Sequence, residues 1–253
     1  MTNHEADAST HEPGHQARKR TRGAKLFIRD LVLIFLAAII ISVGIKTFLL
    51  RSFYIPSPSM TNTLQVNDRI IVNELVPSMV AIKRGDVVVF KDPGGWLPPT
   101  AIIQPTGLAA GIDWALSAVG LSSSDSDDHL IKRVIGLPGD SVACCSTGGK
   151  LTVNGVPLNE SAYLNLPAGA PASAQKFSVT VPKGRLWVMG DNRNNSADSR
   201  FHADTPSKGF VPESEVVGRA FVLTWPVNRW TWLSDYPDVF AGTNPPSPAG
   251  HMN

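Results

Sequence analysis

Residues 129–140 read HLIKRVIGLPGD. Apolar side chains alternate through this run, and it closes on Gly-Leu-Pro-Gly-Asp, so it reads as a β-strand entering a tight turn. Period-two alternation puts Lys132 on the face of Leu130, Val134 and Gly136 and sends Arg133 to the other face. A strand lysine usually looks at solvent; one on an apolar face is out of place unless the chain uses it.

The same texture extends to both sides. Short β-branched runs recur (RIIVNEL, DVVVF, LTVNGVPL, RLWVMG, EVVGRAFVLTW), separated by Gly, Pro, Asn and Asp. Asn154-Gly155, between residues 151–153 and 156–158, predicts a type I′ hairpin, because both turn positions need positive φ. Residues 93–128 are rich in Pro, Gly and Ser and read as an insertion or long loop, with one short helical pattern at 113–119. A Pro/Gly-rich stretch at 241–253 reads as a disordered tail, as do the polar residues 1–25.

Between tail and β region lies LVLIFLAAIIISVGI, residues 31–45, without a charge, continuing through Lys46 to Leu50. Roughly 20 mostly apolar residues suffice to cross a bilayer as a helix, so residues 26–50 are assigned to a transmembrane anchor. A cleaved secretory leader would have a shorter start, a shorter apolar stretch and a small-x-small site after it, where RSFYIP stands instead. The run is apolar on all sides, which weighs against a core helix. The chain carries a net charge of +2, and through Asp30 it holds six basic and four acidic residues, leaving the remainder balanced. Such a basic cluster ahead of an apolar run places the N-terminus in the cytoplasm and residues 51–240 outside. A neutral bulk lacks the basic face that nucleic acid demands. With only two cysteines, the adjacent Cys144 and Cys145, no metal site is expected; the pair reads as two small residues at a strand end, with a vicinal disulfide as the alternative.

Three segments carry candidate chemistry. FYIPSPSMTNTL (53–64) follows the apolar run, stiffened by Pro56 and Pro58, with Ser57 and Ser59 two apart; alone it is as well explained as a soluble linker. HLIKRVIGLPGD offers Lys132. GDNRNNSADSR (190–200) packs Asp191, Arg193, Asp198 and Arg200 among turn residues, a loop held by Asp–Arg pairs, with Ser196 as its functional exception. A serine hydroxyl needs a base to take its proton. Outside the tails only His129 and His202 are at hand, whereas a lysine serves if its pKa of about 10.4 is lowered roughly 2–3 units by apolar burial. A serine beside the amine orients it without adding charge; a close carboxylate would keep it protonated.

In this order the three segments, with RGDVVVF (84–90) between the first two, resemble the boxes of the type I signal peptidases, over most of residues 30–225. That resemblance implies a mainly β fold: an antiparallel β-sheet catalytic core with a smaller β subdomain, preceded by one N-terminal transmembrane helix. It implies Ser59 as nucleophile, Lys132 as general base, Ser57 with the Ser59 backbone N–H as oxyanion donors, and Ser196 as the residue orienting the lysine. Ile55, Pro56 and Ile131 would line substrate pockets, and Asp191, Arg193, Asp198 and Arg200 would support the site. The implied activity is a membrane-bound serine endopeptidase without cofactor or metal, acting at the plasma membrane on secretory preproteins with Ala-x-Ala-like sites; its other partner is the lipid bilayer, and no nucleic acid is involved. Asn62-Thr63 replaces the family's frequent Pro-Thr, and Asn194 stands where the last box often has aspartate. Rival readings are a non-enzymatic anchored surface protein, a self-cleaving Ser/Lys protease of the repressor type, and a Ser–His hydrolase using His129 or His202.

Overall fold

The computed structural model of the chain describes residues 17–98, 128–167 and 169–244. Helix α1 (Ala17–Phe48) is the α-helix among them. It starts inside the stretch read from the sequence as tail, so residues 17–25 are helical rather than disordered. No charge or proline interrupts its apolar run, and the large apolar side chains between Leu26 and Ile41 are 43–70% exposed. Among the described residues no helix is long and apolar enough to cross a membrane. The apolar run read from the sequence continues through residues 43 and 45–48, whose side chains are outside the described set.

The second unit is built of antiparallel strands: β1 (Leu50–Tyr54), β2 (Arg69–Asn73), β3 (Val87–Lys91), β4 (His129–Gly136), β5 (Ser141–Cys144), β6 (Leu151–Val153), β7 (Val156–Pro157), β8 (Phe177–Thr180), β9 (Arg185–Met189), β10 (Val211–Pro212), β11 (Val216–Trp225) and β12 (Thr231–Trp232). The larger sheet runs β1-β2-β11-β3-β4-β9-β10, with β12 added to β11, and the smaller runs β7-β6-β5-β8. This is the expected architecture of a β core with a smaller β sheet. Asn154 (φ 53°) and Gly155 (φ 82°) make the turn between β6 and β7, where the dipeptide predicted it.

Because β3 and β4 lie mid-sheet with core on both sides, they read as near-continuous apolar runs. Val87 and Val89 join Ile55, Met60, Leu64, Ile70 and Ile131 in one cluster, while Val88 and Phe90 join Val134, Val188 and the partly buried Leu130 in another. The register pairs Lys132 with Val88 and Arg133 with Val87. Lys132 thus stands on the face of Leu130 and Val134, as alternation requires, yet Arg133 does not reach solvent: the two side chains belong to residues 3% and 0% exposed. The smaller sheet closes a third cluster around Val142, Leu151, Val153 and Trp187.

Residues 241–244 depart from the disordered tail expected there. Thr243 is buried, its carbonyl accepts from Asn154 Nδ2 at 2.7 Å, and Asn244 accepts from Arg84. The helical pattern at 113–119 and most of the 93–128 insertion lie outside the described residues.

Candidate active site

The chain leaves β1 through Ile55, which is buried and paired through its backbone with Asn67 and Asp68. Pro56 and Pro58 then hold an extended residue at Ser57 (φ −124°, ψ 154°), and Pro58–Met60 forms a single 3₁₀ turn with proline in its first position. Met60 and Leu64, both fully buried, pin this turn to the core, so Ser59 is presented by a stiff backbone anchored on its C-terminal side. Its hydroxyl lies 3.2 Å from Ser57 Oγ and 2.9 Å from Lys132 Nζ. Lys132 Nζ also donates to the Ile131 carbonyl at 2.9 Å.

Burial lowers the Lys132 pKa from 10.5 to about 8; the carboxylates of Asp198 and Asp191 act in the opposite sense and lose. They are restrained because each already has a guanidinium. Arg133 donates to both Asp191 oxygens at 2.8 and 2.7 Å, and Arg200 donates to both Asp198 oxygens at 2.8 Å. A buried amine with an unionised form accessible near neutral pH, at hydrogen-bond distance from a serine hydroxyl, is the arrangement a lysine general base needs.

The loop 190–200 carries the remaining candidates. Asn192 ties it to the Pro58–Met60 turn, its N–H donating to Ser59 O at 3.0 Å and its side chain to Pro58 O at 3.1 Å. Gly190 is needed for this approach: a Cβ there would lie 2.4 Å from Ser59 O and 2.3 Å from Ser196 Oγ. Ser196 is buried beside the site, but its hydroxyl has no hydrogen-bond partner, so the expected bond to the lysine is absent; Lys132 spends its second contact on Ile131 O instead. Of the Asp–Arg pairs expected within the loop, Asp198–Arg200 forms, whereas Asp191 pairs with Arg133 and Arg193 pairs with Glu160. The Arg133 guanidinium lies 4.3 and 5.2 Å from the ring centres of Tyr163 and Tyr236, which are themselves packed together 5.2 Å apart, and Glu160 also accepts from the Tyr163 hydroxyl. Sequence reading missed Arg133, Glu160, Tyr163 and Thr63, whose hydroxyl donates to Asp191. Arg133 had a signal, since a strand apolar on both faces has no solvent side for either of two adjacent cations; Glu160 had none.

Phe53, Tyr54, Ile55, Pro56, Val89, His129, Leu130 and Ile131 line a cavity of about 20 Å³. Ile55, Pro56 and Ile131, expected to touch substrate, are thus brought together, around a space of roughly one methyl or water. Neither histidine is bonded to Ser59: His129 lines this cavity with Nδ1 2.6 Å from Asp128, and His202 stacks on Trp96 at 4.2 Å with Nδ1 2.8 Å from Asp198 O. Among the described residues no group of side chains is arranged to hold a metal.

The family model described as "Signal peptidase, peptidase S26" matches residues 28–225. A probable signal peptidase I of Mycobacterium leprae is 41% identical over 208 residues, covering 73% of this chain and 71% of that protein. Signal peptidase I of Mycobacterium tuberculosis is 39% identical over 243 residues, 88% of this chain and 79% of that one. Signal peptidase I of Leptolyngbya laminosa is 38% identical over 192 residues, covering 76% and 77%.

Proposed function

The chain belongs to the signal peptidase family, peptidase S26, and is a serine peptidase; from that premise we propose that it is a membrane-bound endopeptidase that removes signal peptides from exported preproteins with a Ser59/Lys132 dyad. The observation that carries the reading is the 2.9 Å separation of Lys132 Nζ from Ser59 Oγ, with the amine buried and its pKa near 8. Neutral Lys132 takes the Ser59 proton as Oγ attacks the scissile carbonyl. The Ser57 hydroxyl and the Ser59 N–H stabilise the oxyanion, and the lysine ammonium returns the proton to the leaving amine. An acyl-enzyme on Ser59 remains; Lys132, neutral again, deprotonates a water that releases the signal peptide's new carboxylate. Ser196 orients the lysine in the substrate-bound state, its unpartnered hydroxyl being free to turn toward the amine.

Substrate binds as an extended strand, and the small cavity between Ile55, Pro56 and Ile131 supports a preference for small side chains, as in an Ala-x-Ala site. Residues 26–50 anchor the chain at the plasma membrane with the N-terminus cytoplasmic and the catalytic domain outside. The large apolar side chains of α1 between Leu26 and Ile41, each 43–70% exposed, support this, since so large an apolar surface is costly in water. Trp225, Trp230 and Trp232, each more than half exposed, add aromatic side chains suited to a lipid headgroup layer.

The test is incubation of the purified chain with a preprotein bearing an Ala-x-Ala site. Wild type is expected to cut once, after the second alanine, and Lys132→Ala to leave the preprotein whole. Cleavage undiminished in Lys132→Ala, or lost in His129→Ala and His202→Ala instead, would overturn the dyad.

A further inference from the structure

Cys144 and Cys145 are the chain's only cysteines, and they are joined to each other at the end of β5. Their sulfurs lie 3.8 and 3.7 Å from the carbonyl oxygen of Ser173. Cys144 is buried against Ala172 and Val142, while Cys145 is partly open to solvent. The segment they touch is the one that braces the catalytic loop. Arg200 Nη1 donates to Ser173 Oγ at 3.2 Å, and Arg193 Nη1 donates to Ala172 O at 3.3 Å. Arg200 in turn grips Asp198, which accepts from Gly190 N–H at 2.9 Å, and two residues on Asn192 N–H is bonded to Ser59 O. Packing of the sulfur pair on Ser173, the Arg200 and Asp198 hydrogen bonds, and the backbone from Gly190 to Asn192 therefore link the disulfide to Ser59.

We propose that the Cys144–Cys145 bond is a thiol–disulfide exchange site through which a dithiol reductant tunes cleavage at Ser59; this rests on the peptidase reading above. A reductant thiolate attacks the more open Cys145 sulfur, the sulfur–sulfur bond breaks, and Cys144 leaves as a thiolate and takes a proton. The reductant's second thiol then displaces Cys145 from the mixed disulfide. One dithiol is oxidised to a disulfide and the cysteine pair is reduced to two thiols, with two electrons and two protons conserved. Two unbonded sulfurs need more room than a bonded pair, and each gains an S–H to donate. Both changes press on Ser173, and through it on Arg200 and Arg193.

The experiment uses the full chain in detergent in four forms: untreated, reduced with dithiothreitol, reoxidised, and Cys144→Ser/Cys145→Ser. Denatured and alkylated with iodoacetamide, the untreated chain should take no label and the reduced chain two. Reduction should lower kcat on an Ala-x-Ala peptide several-fold and speed amide exchange across residues 190–200, with both recovered on reoxidation. The double variant should resemble the reduced form and ignore dithiol. Two labels on the untreated chain, a dithiol response that survives in the double variant, or equal kcat and equal exchange in both redox states would each overturn the proposal. Absence of cleavage in every form would instead sink the peptidase reading, and the exchange measurement would still decide whether the sulfur pair moves the loop.

Discussion

Lys132 and Arg133 are neighbours on β4, and the molecule treats their charges in opposite ways. Alternation sends them to different faces, one opposite Val88 and the other opposite Val87. Around Arg133 the chain assembles an Asp191 carboxylate, two carbonyls and two tyrosine rings, and its pKa rises despite burial. Around Lys132 it supplies a hydroxyl and one carbonyl, and the pKa falls to about 8. Burial alone does not decide whether a cation is structural or reactive; the second charge does. The arginine's partner also serves the lysine, because a carboxylate already held in a bidentate pair raises the amine's pKa less than a free one would.

The comparison breaks first at the amine. Lys132→Ala and Ser59→Ala are each expected to lower kcat on the order of 10⁴-fold or more with the fold intact, read by peptide cleavage and circular dichroism. Lys132→Arg should be as inactive, since a guanidinium keeps its proton. On the other face, Arg133→Ala should cost about 3–5 kcal/mol of stability in denaturant melts, because it strands Asp191 without a counter-charge. The released carboxylate should also move the midpoint of the kcat/KM–pH profile above its wild-type position, which is expected near pH 8, with activity rising as the amine loses its proton. A midpoint unmoved by Arg133→Ala would show that the pairing does not shield the lysine.

Ser57→Ala should reduce kcat about 10²- to 10³-fold with little change in KM or melting temperature, as for an oxyanion donor. Lys132→Met should have the reverse sign from Arg133→Ala. An amine with a folded pKa of about 8 against 10.5 binds fewer protons folded than unfolded, so the fold bears a cost below pH 8 that disappears as pH rises toward 10.5. Removing the lysine should therefore stabilise the protein by about 3 kcal/mol at pH 7 and progressively less above pH 8. Asn194→Asp should change cleavage less than about twofold, because Asn194 is exposed on a loop whose geometry rests on Arg193, Asp198 and Arg200.

Much of this was legible in the chain itself, and for identifiable reasons. Strand period, the Asn154-Gly155 turn and the lysine on an apolar face are local properties, set by φ/ψ preferences and by side-chain direction along a few residues. The apolar run of α1 is local too, although its start at Ala17 was not, since a helix can begin in polar residues that show no periodicity. Tail residues 241–244 were misread for the same reason in reverse: their Pro/Gly-rich setting hid the long-range bonds that Arg84 and Asn154 make to them.

The amino-acid order by itself determined which residues are serine, lysine and carboxylate, which strand carries Lys132, and that Ser59 sits on proline-stiffened backbone. Tertiary structure alone decided the pairing: that Asp191 answers Arg133 rather than Arg193, and that Glu160 reaches Arg193. Those contacts join residues 33 to 58 positions apart. Over such distances no local preference acts, and the partner is selected by which side chains the packed sheets bring into the same dry space.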